Sequence, residues 1–158
     1  MKTLLKGGTV VNVFTDELQK ANILIEDEKI IGVGDYSDTD ADCVHDISGK
    51  YVCPGFIDGH IHIESTMMLP AEFAKAAVLH GTSAVVSDPH EIANVCGGEG
   101  IEFMLEASEK LPLDVYVMVP SCVPATAFDE SGAELSAADI EPFYRHSRVL
   151  GLAEMMNY

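Results

Sequence analysis

Two histidines two residues apart, His60 and His62, stand with Asp58 and Glu64 on alternate positions of the run Pro-Gly-Phe-Ile-Asp-Gly-His-Ile-His-Ile-Glu at residues 54–64. Side chains of an extended chain alternate faces, so these four share one face while Ile57, Ile61 and Ile63 share the other. A buried strand that had only to pack would not carry four such groups on one face, because each desolvated charge is costly unless it is paired or ligated. An H-x-H pair by itself is weak, since surface strands carry such pairs by chance. The preceding Pro54-Gly55 turn and the flanking isoleucines place this one at the end of an inward strand, which makes it a metal clamp.

Three further apolar runs end in comparable chemistry. Residues 82–87 lead into Asp88, Pro89, His90 and Glu91. Residues 114–119 lead into Pro120, Ser121 and Cys122. The run from Val149 to Ala153 ends on Glu154. Each end alone reads equally well as a helix cap or a solvated loop, and Asp88 taken singly favours a cap. Polar groups on four successive strand ends read as a site, because parallel β/α folds work at the C-terminal ends of their strands. Glu154 is the sharpest of them: an ionised carboxylate at the end of an apolar strand calls for a cation. Imidazole nitrogens with a carboxylate suit zinc, iron or manganese, and two adjacent metals can share a bridging carboxylate and a hydroxide.

The elements that must position these groups alternate between buried-strand runs and amphipathic helices, the pattern of an α/β chain with a parallel sheet. The strands are expected at 55–63, 82–87, 114–119 and 148–154. Helices are expected at about 70–80, with Pro70 in the first turn and Gly81 at the end, and at 99–110, where Ile101, Met104, Leu105 and Ser108 recur at helical spacing after a flexible Gly97-Gly98 approach. A third runs from Ser136 to about His146 and opens with a capping-box variant in which Asp139 replaces glutamate. Before residue 53 the pattern differs. Short β-prone runs at 8–13, 21–25 and 29–34, an acidic hairpin turn at 26–28, a polar loop at 35–42 and a turn and strand at 46–52 make a small sheet. Residues 1–52 are therefore expected as an N-terminal β-rich segment and 53–158 as four β/α units. A (β/α)₈ barrel needs about 250 residues and eight strands, so this is the first half of one.

Of the 158 residues, 47% are apolar, ample for a core. There is no run of eighteen apolar residues and the N-terminus lacks a signal-peptide core, so no membrane partner is expected and the default compartment is the cytoplasm. The four cysteines form no C-x-x-C pair and read as reduced thiols. A net charge of -17 repels phosphate backbones, which excludes a nucleic-acid partner and leaves a small neutral or cationic substrate.

The turn and strand at 54–64 resemble the amidohydrolase superfamily of metal-dependent hydrolases, in which a small β-sandwich built from both chain ends flanks a TIM barrel. Four motifs in order, at 60–68, 86–95, 120–126 and 151–158, are similar to its bacterial adenine deaminase branch. The resemblance implies hydrolysis of adenine to hypoxanthine and ammonia, in purine salvage, at a binuclear centre of manganese or iron, with zinc as a further option. His60 and His62 would bind the first metal, and Glu154 matches the bridging carboxylate. Asp88, His90 and Glu91 would line the pocket mouth as substrate or metal contacts, with Glu64 and Ser121 as further pocket candidates. By the same resemblance, two histidines on strands five and six and an aspartate on strand eight complete the site, and the complete enzyme is a homo-oligomer. This chain is then expected to be an N-terminal portion, inactive alone. One alternative keeps the superfamily and changes the substrate to a cyclic amide, although such relatives usually carry lysine at the bridging position, where this chain has Glu154. The remaining alternative is a half-barrel that pairs through its open edges as a binding or assembly module. The H-x-E and P-C-x-x-C signature of the unrelated zinc nucleobase deaminases is absent.

Overall fold

In the computed structural model, which describes residues 1–37 and 39–157, the chain divides into two units, Met1–Pro54 and Gly55–Tyr158. Asp38, in the expected polar loop, and Tyr158, the last residue of the fourth motif, lie outside the described residues.

The first unit is one mixed sheet. Strand β1 (Lys2–Asn12) pairs antiparallel with β2 (Glu17–Glu26), which pairs antiparallel with β3 (Lys29–Gly34). On its other side β1 runs parallel to β4 (Cys43–Asp46) and β5 (Tyr51–Val52). The expected turn and strand at 46–52 ends in the two-residue β5, β4 before it was not expected, and β1 starts six residues earlier than expected because its first half finds β4 as a partner. The β1–β2 register shifts between Leu5 and Gly8, where Gly7 takes φ +84°, a conformation that a side chain disfavours. Leu4, Ile23 and Leu24 are buried. The acidic turn narrows to Asp27 and Glu28, with Glu26 ending β2, and Asp27 accepts a 2.6 Å bond from the N-terminal amine.

The second unit carries strands β6 (Phe56–Ile61), β7 (Thr82–Ser87), β8 (Asp114–Val119) and β9 (Val149–Leu152) in a parallel sheet of that same order. All four lie within the expected strands. Helix α1 (Pro70–Val78) places Phe73, Ala74, Ala77 and Val78 against Ile63, Val85 and Val115. Helix α3 (Gly98–Ala107) contributes Met104 to that cluster and Ile101 and Leu105 to a second one with Val117, Val119 and Val123, as the helical spacing requires. Each fully buried side chain of this kind stabilises by about 1.5–3 kcal/mol.

Three expectations are corrected. The strand carrying the H-x-H pair is the sheet's edge and is not buried: Phe56 and Ile57 are 63% and 68% exposed, because no fifth strand covers that side among the described residues. A helix α2 (His90–Cys96) stands where a loop was expected; seven residues behind Pro89 show too short an apolar stripe to announce it. The helix from Ser136 keeps its capping box but breaks after α4 (Ala137–Ile140), Pro142 lying in the 3₁₀ turn that follows at Glu141–Arg145.

At the other end of β9, Arg148 donates to the Ser108 hydroxyl at 2.7 Å, to the Val115 carbonyl at 3.2 Å and to the Leu105 carbonyl. One guanidinium thereby ties the last turn of α3 to the start of two strands. No helix among the described residues is long and apolar enough to cross a membrane, and all four cysteines are free thiols.

Candidate metal centre

Strand β6 ends at Ile61, so His60 is its penultimate residue and His62 follows it directly. The buried Ile63 then anchors the chain in the core and fixes where the two rings emerge. Their Nε2 atoms lie 3.1 Å apart, with the rings near perpendicular at 82°. His62 Nδ1 sits 2.8 Å from the main-chain carbonyl of Asp88. A carbonyl only accepts, so Nδ1 carries the proton and Nε2 presents its lone pair to His60. A carbonyl on the far ring nitrogen is what sets the tautomer of a metal-binding histidine.

Asp88 follows β7 and its side chain is 1% exposed. Its Oδ2 accepts from His90 Nδ1 at 3.2 Å, while Oδ1 is buried without a hydrogen-bond partner. Glu154 arrives two residues after β9, its Oε1 4.0 Å from both His62 Nε2 and His90 Nδ1. One donor atom each from His60, His62, Asp88 and Glu154 lies within 4.8 Å of all the others. Two donors on a tetrahedral ion with bonds of about 2.0–2.2 Å stand roughly 3.3–3.6 Å apart, so small side-chain shifts bring this set onto one cation. Fit to a divalent metal also rests on the orphaned Asp88 oxygen, since a desolvated carboxylate without a partner is costly unless a cation takes it.

The structure gathers only part of the expected set. Asp58 accepts the His60 main-chain N–H at 3.1 Å and does not join the cluster. Glu64, expected on the same face as the histidines, belongs instead to a 3₁₀ turn and accepts the Ile92 N–H at 3.3 Å, its other oxygen buried and unpartnered. Burial pushes the Glu64 carboxyl above its ordinary range. Glu91, in the first turn of α2, accepts from the Ser65 hydroxyl at 2.5 Å. His90, on the same turn, packs its ring 4.6 Å from that of His62. Asp88, expected at the pocket mouth, lies inside the cluster. Sequence reasoning had no signal for Ser65, an isolated hydroxyl in a turn.

Ser121 is near the cluster but not in it. Its hydroxyl donates 2.7 Å to the main-chain carbonyl of Glu154 and lies 3.3 Å from the Cys122 thiol, a contact that holds that thiol below its usual range. Both residues line a hollow of about 550 Å³ together with Thr126, Ser136 and Asn157.

The model of the family described as "Amidohydrolase family" matches residues 51–157. The chain is 50% identical over 155 residues to an adenine deaminase of Geobacillus kaustophilus and 52% identical over 157 residues to one of Bacillus licheniformis. Those matches cover 98% and 99% of this chain but 26% and 27% of the relatives, so the chain spans about a quarter of the curated proteins it resembles. Among solved structures, a D-aminoacylase described for its binuclear metal centre matches 74% of this chain and 29% of its own (TM-score 0.58, 25% identity). A dihydropyrimidinase from Brevibacillus agri matches 99% of this chain and 36% of its own (TM-score 0.63), and at 23% identity it speaks for the fold alone.

Proposed function

The chain belongs to the amidohydrolase family, and on that footing we propose that it supplies the N-terminal part of an adenine deaminase. In this reading residues 1–52 contribute to a composite β-sandwich and residues 53–158 form the first four β/α units of a TIM barrel. Two features support that division: an apolar hollow of about 420 Å³ on the first sheet, lined by Val10, Ile23, Ile30 and Val33, and the exposed apolar residues along edge strand β6.

The observation that carries the proposal is the convergence of His60, His62, Asp88 and Glu154 at three strand ends, in a chain about 50% identical to adenine deaminases. His60, His62 and Asp88 would hold a divalent ion, and Glu154 would be the carboxylate shared with a second ion in the complete enzyme. A divalent ion there would supply an activated water for attack on the purine carbon that carries the amino group. Manganese or iron is the favoured metal and zinc the alternative. The protein's own groups orient and exclude: the Asp88 carbonyl fixes the His62 tautomer, His90 steadies Asp88, and the partly buried Glu64 and Ser65 fasten the post-strand turn to α2, which presents Glu91 to the pocket mouth. The overall reaction, adenine and water to hypoxanthine and ammonia, belongs to purine salvage in the cytoplasm, carried out by a homo-oligomer.

The test has two arms. Titrated with Mn²⁺ and followed by electron paramagnetic resonance, the 158-residue chain binds the ion at one site, and no hypoxanthine forms when adenine is added. The gene's full-length product, loaded with the same metal, deaminates adenine. An absence of binding removes the site, and ordinary turnover by the short chain removes the claim that further strands are needed.

A further inference from the structure

We propose that Ser121 is a positioning residue for the metal centre, setting where the Glu154 carboxylate stands although it touches no metal donor itself. The inference rests on the reading of Glu154 as a ligand. It starts from how little else holds that residue. Glu154 lies beyond the last residue of β9, its side chain is 47% exposed, and its side-chain neighbours are His62 and His90 at 4.0 Å, beyond hydrogen-bond distance. The ladder's final support is the bond from Ala153 N–H to the Val119 carbonyl at 2.8 Å, one residue short of Glu154.

Past that point the segment is held from β8's continuation. The Ser121 hydroxyl donates to the Glu154 carbonyl at 2.7 Å, and the Cys122 thiol reaches the Asn157 carbonyl at 3.5 Å and the Met155 sulfur at 3.8 Å. The two sulfur contacts are long and weak. The serine bond is short and falls on the residue whose carboxylate matters. A carbonyl fixed in direction fixes the plane of the peptide that follows the Glu154 Cα, and together with the anchored Ala153 N–H it narrows the φ and ψ range from which the side chain is aimed. Without the bond the Glu154 peptide gains rotational freedom, and the metal itself must order the carboxylate, at the expense of affinity. Partners of this kind change metal affinity by about 10–100-fold when removed.

The decisive comparison is Ser121→Thr against Ser121→Val, nearly equal in shape and differing in the hydroxyl, with Ser121→Ala as a smaller replacement. Each is titrated with Mn²⁺ as the 158-residue chain, with Glu154→Gln alongside. Expected are a loss of about tenfold or more in Mn²⁺ affinity for Val and Ala, retention within about threefold for Thr, and a broadened Mn²⁺ resonance in the variants lacking the hydroxyl. Metal-free thermal midpoints remain alike for Thr and Val. Equal affinity for Thr and Val overturns the positioning role. If Glu154→Gln also binds as tightly as the parent, the ligand reading fails first; if Glu154→Gln is weak while Val is not, the positioning role alone fails. Should Ser121→Ala not fold, the Thr and Val pair still decides.

Discussion

Both units carry an excess of acid, and they differ in what they leave unsatisfied. In the first, Asp27, Asp35 and Asp46 all find donors within the sheet and its turns. Asp35 accepts from Ser37, Asp46 from the Ser48 side chain and N–H, and Asp27 from the N-terminal amine. These bonds hold all three below the ordinary carboxylate range, in each case chiefly through hydrogen bonds to the charged form. In the second unit, Asp88 and Glu64 each bury one oxygen with no partner, and Glu154 stands 4.0 Å from ring nitrogens of His62 and His90, beyond hydrogen-bond distance. Acid that the chain satisfies itself belongs to architecture, and acid it leaves unsatisfied at a strand end waits for something from outside.

The contrast is broken most directly by His60→Ala. If the second unit alone offers a site, this change costs more than about 100-fold in Mn²⁺ affinity, beyond the loss expected for an outer-sphere partner. Asp46→Asn, at an equally acidic but settled position, leaves the titration unchanged within about twofold. Calorimetric titration of both variants compares the units in one experiment.

Asp88→Asn sharpens the difference by separating stability from binding. The amide keeps the side chain's shape and one acceptor for His90, so the metal-free thermal midpoint changes little while Mn²⁺ affinity falls by about tenfold or more. A fall in both would place Asp88 among the settled acids. The smallest effect is in the first unit's response to pH. Because Asp27, Asp35 and Asp46 have depressed folded values, their contribution is fully present above the unfolded aspartate value near 3.9 and is lost as pH falls through the folded ones. Urea midpoints measured between about pH 5 and pH 2.5 decline less steeply in Asp35→Asn/Asp46→Asn than in the parent.

How far these differences could be read in advance follows from what each depends on. The four parallel strands were legible because each is a run of apolar residues closed by a turn. Helix α1 was legible from Pro70 in its first turn and Gly81 beyond its end, and α3 from Ile101, Met104 and Leu105 at helical spacing. The exposure of β6 was not, since burial of an edge strand depends on a neighbour rather than on its own residues. Asp88 could be marked as polar at a strand end, but its burial and orphaned oxygen arise from the packing of β7 against β6 and β8, which no local pattern carries. Glu64 was misplaced by extending the strand's two-residue period beyond Ile61, where the backbone curls into a 3₁₀ turn.

Strand β9 is bounded by Arg148 on one side and Glu154 on the other, and the two ends answer to different demands. The guanidinium fork that joins α3, β8 and β9 lies where the strands begin, and the carboxylate that meets the histidines lies where they finish. A substitution near Glu154 can therefore alter what the molecule does while the rivet at Arg148 keeps the framework in register. Lysine, with a single ammonium, cannot stand in for a fork serving three partners. Chemistry and resistance to collapse therefore sit at opposite poles of a four-residue strand.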